Sequence, residues 1–222
     1  MSQVFIDFKN RLQEIEIGLG IDKPLDIDKI DSFQEITKAY VLLAHAEIEK
    51  YFELVSLKIV NDAYLKYDRE QNANSPLSAL LSTDVHAVKT PEDFFEDREK
   101  FLVDYDSNDR IKHYREDYIC VVKQNHGIKG RNVFNLLWKI GFKKEEVGET
   151  LLLKLDDYGR KRGFIAHTGY CPNRTLLNYD EEKNLVKELL IEIEKFDKII
   201  DDRGLLDSTT EVSDVSCILY VQ

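Results

Sequence analysis

The sequence predicts an all-α fold, a bundle of about five to seven helices. Three observations predict it. Apolar residues recur at three- and four-residue steps along most of the chain. Only 4 prolines and 10 glycines interrupt its 222 residues. Apolar residues make up 43% of the composition and charged residues 33%, enough for a sizeable core beneath solvated helix faces.

Residues 3–19 form the first amphipathic helix, because Phe5, Phe8, Leu12, Ile15 and Leu19 share a face, and Gly18, Gly20 and Pro24 end it. Ser32, with Glu35 three residues on, reads as a capping box that starts a second helix. Its stripe of Phe33, Ile36, Tyr40, Leu43, Ile48, Tyr51, Val55 and Ile59 carries it to about residue 67, a length that invites a break near Ser56 or Asn61. Residues 71–76 read as a polar linker, and 77–89 show no decisive period. Thr90-Pro91-Glu92-Asp93 is a helix start, with a cap, a proline in the first turn and acids at the positive dipole end. That helix ends before Asp106-Ser107-Asn108-Asp109.

A further helix covers residues 110–123, Asn125-His126-Gly127 is a turn, and 132–140 is a short helix stopped by Gly141. Residues 145–164 form the next helix. The last, over 179–203, is opened by Asp180, Glu181 and Glu182, lined by Leu185, Leu189, Phe196 and Ile200, and capped by Gly204. The residues after Gly204 read as irregular, with a short strand at 217–221. The length is that of one domain, assigned to residues 1–206, with a C-terminal tail over 207–222.

Several function classes drop out. No run of about 18 apolar residues occurs, so no membrane span is expected. The N-terminus lacks the basic-then-apolar form of a signal peptide, which makes a cytoplasmic location the default. Cys120, Cys171 and Cys217 are odd in number and widely spaced, and read as buried thiols rather than a zinc site or disulfide framework. His45, His86, His113 and His126 form no metal-binding pattern. His113 beside Glu116 and Asp117 reads as a solvated face. With no phosphate-cradling loop and no nucleotide fingerprint, neither metal nor cofactor is expected.

The net charge of -11 argues against non-specific nucleic-acid binding, but the charge is uneven. Residues 121–144 hold Lys123, Lys129, Arg131, Lys139, Lys143 and Lys144 and no acid. Residues 158–175 hold Arg160, Lys161, Arg162 and Arg174, again with no acid. Two basic islands therefore sit in an acidic body, an arrangement suited to a focused anionic ligand.

The second island contains Arg162 and, five residues on, His167. An arginine and a histidine held together suffice to cut RNA without a metal: one stabilises charge developing on phosphorus, the other moves a proton. Arg162 falls on the apolar stripe of Leu151, Leu155, Tyr158 and Ile165, where a charge is costly unless it is paired or faces a cavity. Glu47 stands on an apolar stripe with Tyr40, Leu43 and Tyr51, and pairing it with Arg162 would relieve both, for structure or for catalysis. Five residues of α-helix turn through about 500°, leaving Arg162 and His167 about 140° apart. They meet if the helix ends or bends between them, which Gly163 and Gly169 permit, or if two chains supply them.

The segment Arg162-x4-His167, with Ile165-Ala166-His167 closing a leucine-rich helix, resembles the signature of the HEPN superfamily. The stretch from Tyr40 to Tyr51 is similar to the early HEPN helix that carries an acid. Asn125-His126-Gly127 through Leu136-Leu137 and Gly141 resembles the RiboL-PSP-HEPN branch most, with the MAE-type HEPN group next. The resemblance covers residues 33–203. It implies an all-helical homodimer, no cofactor, and metal-independent endoribonuclease activity used as a toxin or in anti-phage defence. Catalysis would then fall to Arg162, His167 and a supporting Glu47, with Arg160, Lys161, Lys129, Arg131 and Lys139 binding RNA. A cognate antitoxin or defence-system protein is an implied partner.

The sequence departs from the pattern at Gly163, where a polar residue is usual, and at Thr168, which stands before the expected glycine. Arg160 offers an alternative arginine at a six-residue spacing from His167. The implied chemistry is attack of the ribose 2′-hydroxyl on the adjacent phosphate, giving a 2′,3′-cyclic phosphate. The rival reading is a non-catalytic HEPN dimer that binds RNA or protein.

Overall fold

One long helix is the element against which most of the others pack. The computed structural model describes residues 1–20, 30–70, 74–82, 108–168 and 177–207, and among these it contains eight helices and no strand. In chain order they are α1 (Gln3–Gly18), α2 (Ile30–Glu70), α3 (Ser75–Ser82) and α4 (Asn108–Lys123). Then come α5 (Gly130–Trp138), α6 (Lys144–Val147), α7 (Glu149–Thr168) and α8 (Tyr179–Asp202). The all-α prediction holds.

Helix α2 runs 41 residues without the break expected near Ser56 or Asn61. Every residue from 54 to 60 is buried, the pattern of a helix with neighbours on all sides. The polar residues at the two expected break points are bonded in place. Ser56 Oγ donates back to the Phe52 carbonyl at 2.7 Å, and Asn61 Oδ1 accepts from Arg115 Nη2 at 2.7 Å. The helix begins at Ile30, so the expected Ser32–Glu35 capping box lies inside it, where Glu35 accepts from Lys38 Nζ at 2.7 Å.

Helix α1 starts at Ser2, whose Oγ accepts the Phe5 N–H at 3.1 Å, and lays Phe5 and Phe8 against Tyr51 of α2. Helix α8 packs Phe196 against Phe52 of α2 and Phe142 ahead of α6. Asp197, fully buried on α8, joins the three helices. It accepts from the Ser2 N–H at 2.8 Å, Ser2 Oγ at 2.5 Å and Tyr51 Oη at 3.2 Å.

Within the expected linker, Asn74 Oδ1 accepts the Leu77 N–H at 3.3 Å and Pro76 enters the first turn of α3, so part of it is a helix start. Helices α3 and α4 cover the far end of α2 with Leu77, Leu81 and Ile111 around Ala63. Tyr118 Oη of α4 donates to the Leu136 carbonyl of α5 at 2.9 Å, and Tyr158 Oη of α7 to the Val41 carbonyl of α2 at 3.3 Å.

The single helix expected over 145–164 is two. Gly148, at φ +94°, separates α6 from α7, and α7 continues to Thr168. Cys120 is exposed, not buried as expected, because α4 turns it away from α2. The helix expected from Thr90, the strand at 217–221, His86, Cys171 and Cys217 lie outside the described residues. Among the described residues no helix is long and apolar enough to cross a membrane.

Removing the Asp197 carboxylate leaves three buried donors unmatched. Asp197→Ala should lose about 3 kcal/mol, lowering Tm by roughly 6–12 °C for a chain of this size. Asp197→Asn, which keeps one acceptor, should lose clearly less in the same thermal melts.

Candidate functional site

A short turn wedged between α2 and α7 builds the site. Gly130, at the start of α5, approaches α7 so closely that a Cβ there would lie 2.7 Å from the Leu152 carbonyl oxygen. Its N–H donates to Asp156 Oδ1 at 2.9 Å. One turn further on, a Cβ on Gly159 would lie 3.4 Å from Lys129 Cγ. Small residues at these two points let the turn lie directly on α7.

The other side of the turn is held by α2. Asn125 Nδ2 donates to Glu53 Oε1 at 2.9 Å, and the Gly127 N–H donates to Glu49 Oε1. Gly127 is at φ +89°, and a Cβ built on it would lie about 4.0 Å from the His45 ring. Asn132 Nδ2 closes the turn on the His126 carbonyl at 2.6 Å. His126 is exposed at its crest.

Arg162 lies one turn beyond Gly159. The stripe predicted around it is buried, with Leu151 at 1%, Leu155 at 0%, Tyr158 at 3% and Ile165 at 5% exposure, while Arg162 itself is partly exposed. Among the described residues, no carboxylate lies within ion-pair distance of it. Its charge acts on His45 of α2, which is 2% exposed. Burial, and then the Arg162 charge, push the His45 imidazole down to about 4. His45 is therefore neutral at neutral pH, with Nδ1 3.8 Å from Glu49 Oε2. Glu53 is raised by burial, opposed by its Asn125 hydrogen bond, raised further by Glu49 and lowered by His126.

Glu47 does not meet Arg162. Arg11 Nε of α1 holds its Oε1 at 3.2 Å. The reason is angular. On α2, Glu47 is about 200° from His45 and Glu49, so it faces α1 while they face α7 and the turn. The acid on the arginine's side is Glu49. The signal for it is the spacing His45, Glu49, Glu53, which puts three titratable groups on one stripe.

His167 is helical, since α7 runs to Thr168. No helix end or bend separates it from Arg162, so the two positions stand about 140° apart around one axis. Of the expected RNA-binding residues, Lys129 and Arg131 are exposed beside α7. Arg160 is exposed and pairs with Asp157. Lys161 is drawn to the buried Glu182, at 2.8 and 3.0 Å. Lys139 leaves the expected surface. It is 6% exposed, its Nζ lies 4.7 Å from the Trp138 ring centroid, and burial lowers its ammonium. His113 faces solvent beside Asp117, as expected.

The model of RiboL-PSP-HEPN matches residues 6–202. The chain belongs to the RiboL-PSP-HEPN family. No curated protein and no solved structure gave a match. The family match spans α1 to the end of α8, so the HEPN fold here includes the first helix, ahead of the residue 33 at which the resemblance begins.

The buried His45 makes stability depend on pH. Its folded value, about 4, lies below its unfolded 6.5, so the contribution is full above 6.5 and is lost as pH falls toward 4. Between about pH 7 and pH 5 the loss is roughly 2 kcal/mol. His45→Gln should remove that part of the slope in denaturant unfolding at the two pH values. An equal slope in the variant would contradict it.

Proposed function

We propose that the protein is a metal-independent HEPN endoribonuclease that cuts RNA by 2′-hydroxyl attack. The observation that carries this reading is the placement of Arg162. It is partly exposed on an otherwise buried stripe, no carboxylate pairs with it among the described residues, it stands one turn beyond Gly159, against which Lys129 packs, and its charge acts on the neutral His45. A guanidinium so placed is available to a phosphate. Arg160, already beside Asp157, is the poorer candidate.

The O2′–P bond forms as the 2′-hydroxyl gives up its proton to one base. The P–O5′ bond then breaks and the leaving 5′-oxygen takes a proton from one acid. Arg162 stabilises the phosphorane between the two events, and His167 is one of the proton-transfer groups. Lys129, Arg131 and Arg160 hold the flanking backbone. The products are a 2′,3′-cyclic phosphate and a 5′-hydroxyl, and DNA is spared.

The working form is a homodimer closed over α7. Leu153 is 65% exposed and Phe164 51%, both on the outward side of that helix. A two-fold pairing there brings the His167 positions of the two chains, about 40–60° around α7 from those side chains, toward each other. The setting is a toxin or anti-phage effector in the cytoplasm, with an antitoxin or defence protein as its partner. The alternative, a non-catalytic RNA- or protein-binding HEPN dimer, is favoured by Gly163 in place of the usual polar residue.

Incubating purified protein with total cellular RNA in EDTA should yield defined fragments ending in 2′,3′-cyclic phosphate. Arg162→Ala and His167→Ala should each be slower by at least about 100-fold. Equal cleavage by all three proteins, or none, moves the weight to the binding module. Leu153→Glu with Phe164→Glu should shift the protein to monomer in sedimentation and lower cleavage in parallel.

A further inference from the structure

A transesterification moves two protons, and the proposed reading names one histidine for the task. The described part of the structure contains three other histidines. His113 sits on α4, turned to solvent beside Asp117 at 3.4 Å, away from α7. His45 is beside Arg162, but it is 2% exposed and its imidazole stays neutral, sealed beneath Gly127. His126 is the third, and its setting differs from both.

His126 is exposed, yet its backbone is fixed from three sides. Asn125 is bonded to Glu53, the Gly127 N–H to Glu49, and the His126 carbonyl itself accepts from Asn132 at 2.6 Å. A freely exposed loop has no need of such holding, whereas a group that must meet a substrate atom within a few tenths of an ångström does. The turn is also in the right place. Gly127 lies against His45, which feels the charge of Arg162, and Lys129 lies on Gly159, three residues before Arg162. The same crest is flanked by Lys123, Lys129 and Arg131, all exposed, so an RNA backbone drawn to the basic island passes over His126.

We propose that His126 is a second proton-transfer residue of the RNA cleft, acting with His167 on either side of the phosphate that Arg162 holds. One imidazole accepts the proton of the 2′-hydroxyl as the O2′–P bond forms. The other gives its proton to the 5′-oxygen as the P–O5′ bond breaks, and solvent resets both. Glu49 and Glu53 of α2, with Asn125 and Asn132, are positioning residues for it. The proposal rests on the ribonuclease reading.

The test is steady-state cleavage of a labelled oligoribonucleotide of mixed sequence, in EDTA, by wild type, His126→Ala and His167→Ala, with and without added imidazole. His126→Ala should lose about 100-fold or more in kcat, keep KM near the wild-type value, and regain part of its rate with imidazole. Its thermal melt should match the wild type, since the side chain is exposed. A wild-type kcat, a loss confined to KM, or a kcat loss that imidazole leaves untouched overturns the proposal. If the wild type cuts, His167→Ala does not, and His126→Ala cuts at full rate, this inference alone falls. If the wild type does not cut, the ribonuclease reading falls and takes the inference with it.

Discussion

The burial of α2 on all sides over residues 54–60 is the constraint on which the structure depends. A helix whose residues 54–60 are all buried cannot leave a polar side chain to water, so each must find a partner on whatever packs against it. Lys58 and Asp62 pair at 2.9 Å, and together they bind both the carbonyl and the N–H of Asp207, fixing the chain just after α8. Tyr51 reaches Asp197, which fixes the start of α1. Asn61 holds Arg115 of α4. A pair such as Lys58–Asp62 is weak evidence of stability in itself, because desolvation offsets the attraction. What these groups supply is uniqueness of placement, since each of these bonds forms in only one arrangement of its neighbours, although Asp62 Oδ1 and Arg115 Nε stay buried without a hydrogen-bond partner among the described residues.

The same constraint generates the candidate site. The stripe of α2 that faces α7 carries His45, Glu49 and Glu53, three groups with charge or hydrogen-bonding capacity and little water. Two of them are satisfied by the 125–127 turn, through Asn125 and the Gly127 N–H. His45 avoids the cost of a buried charge by staying neutral, because burial and then the Arg162 charge lower its proton affinity. The turn is therefore no loose connection between α4 and α5. It is held by α2 on one side and, through Gly130 and Gly159, pressed on α7 on the other. The basic residues that it carries arrive beside Arg162 as a consequence of packing.

Much of this was legible in the sequence, and the misses share a cause. Helix existence and the buried stripe of α7 followed from periodicity, since Leu151, Leu155, Tyr158 and Ile165 obey it without exception. Boundaries were less legible. Ser32 has the chemistry of a cap but lies inside a helix whose burial favours extension, and Gly148 splits a helix that its flanking residues would continue. The expected pairing of Glu47 with Arg162 is absent for a geometric reason. Glu47 and Glu49 are two residues apart and equally acidic, and only the neighbours tell which of two nearly opposite faces meets α7. Lys139 likewise belongs to a basic island by sequence yet is covered by its own Trp138. Charge patterning locates an island, but only packing decides which of its members reach solvent.

The straightness of α7 bears most directly on mechanism. Had the helix ended at Gly163, one chain could have turned His167 back toward Arg162, and a monomer would have held a complete arginine–histidine pair. Because α7 is helical through Thr168, the arginine position sits toward α2 and the turn, and the histidine position lies about 140° around the axis. A Cβ built on Gly163 would meet nothing within 4 Å among the described residues. A one-chain site centred on Arg162 must therefore draw its chemistry from α2 and the turn, where the available groups are Glu49, the neutral His45 and the exposed His126. The outer side of α7, where Leu153 and Phe164 are exposed, is about 180–200° around the axis from the arginine position, so a second chain seated there meets the histidine position and leaves Arg162 to the groups of its own chain.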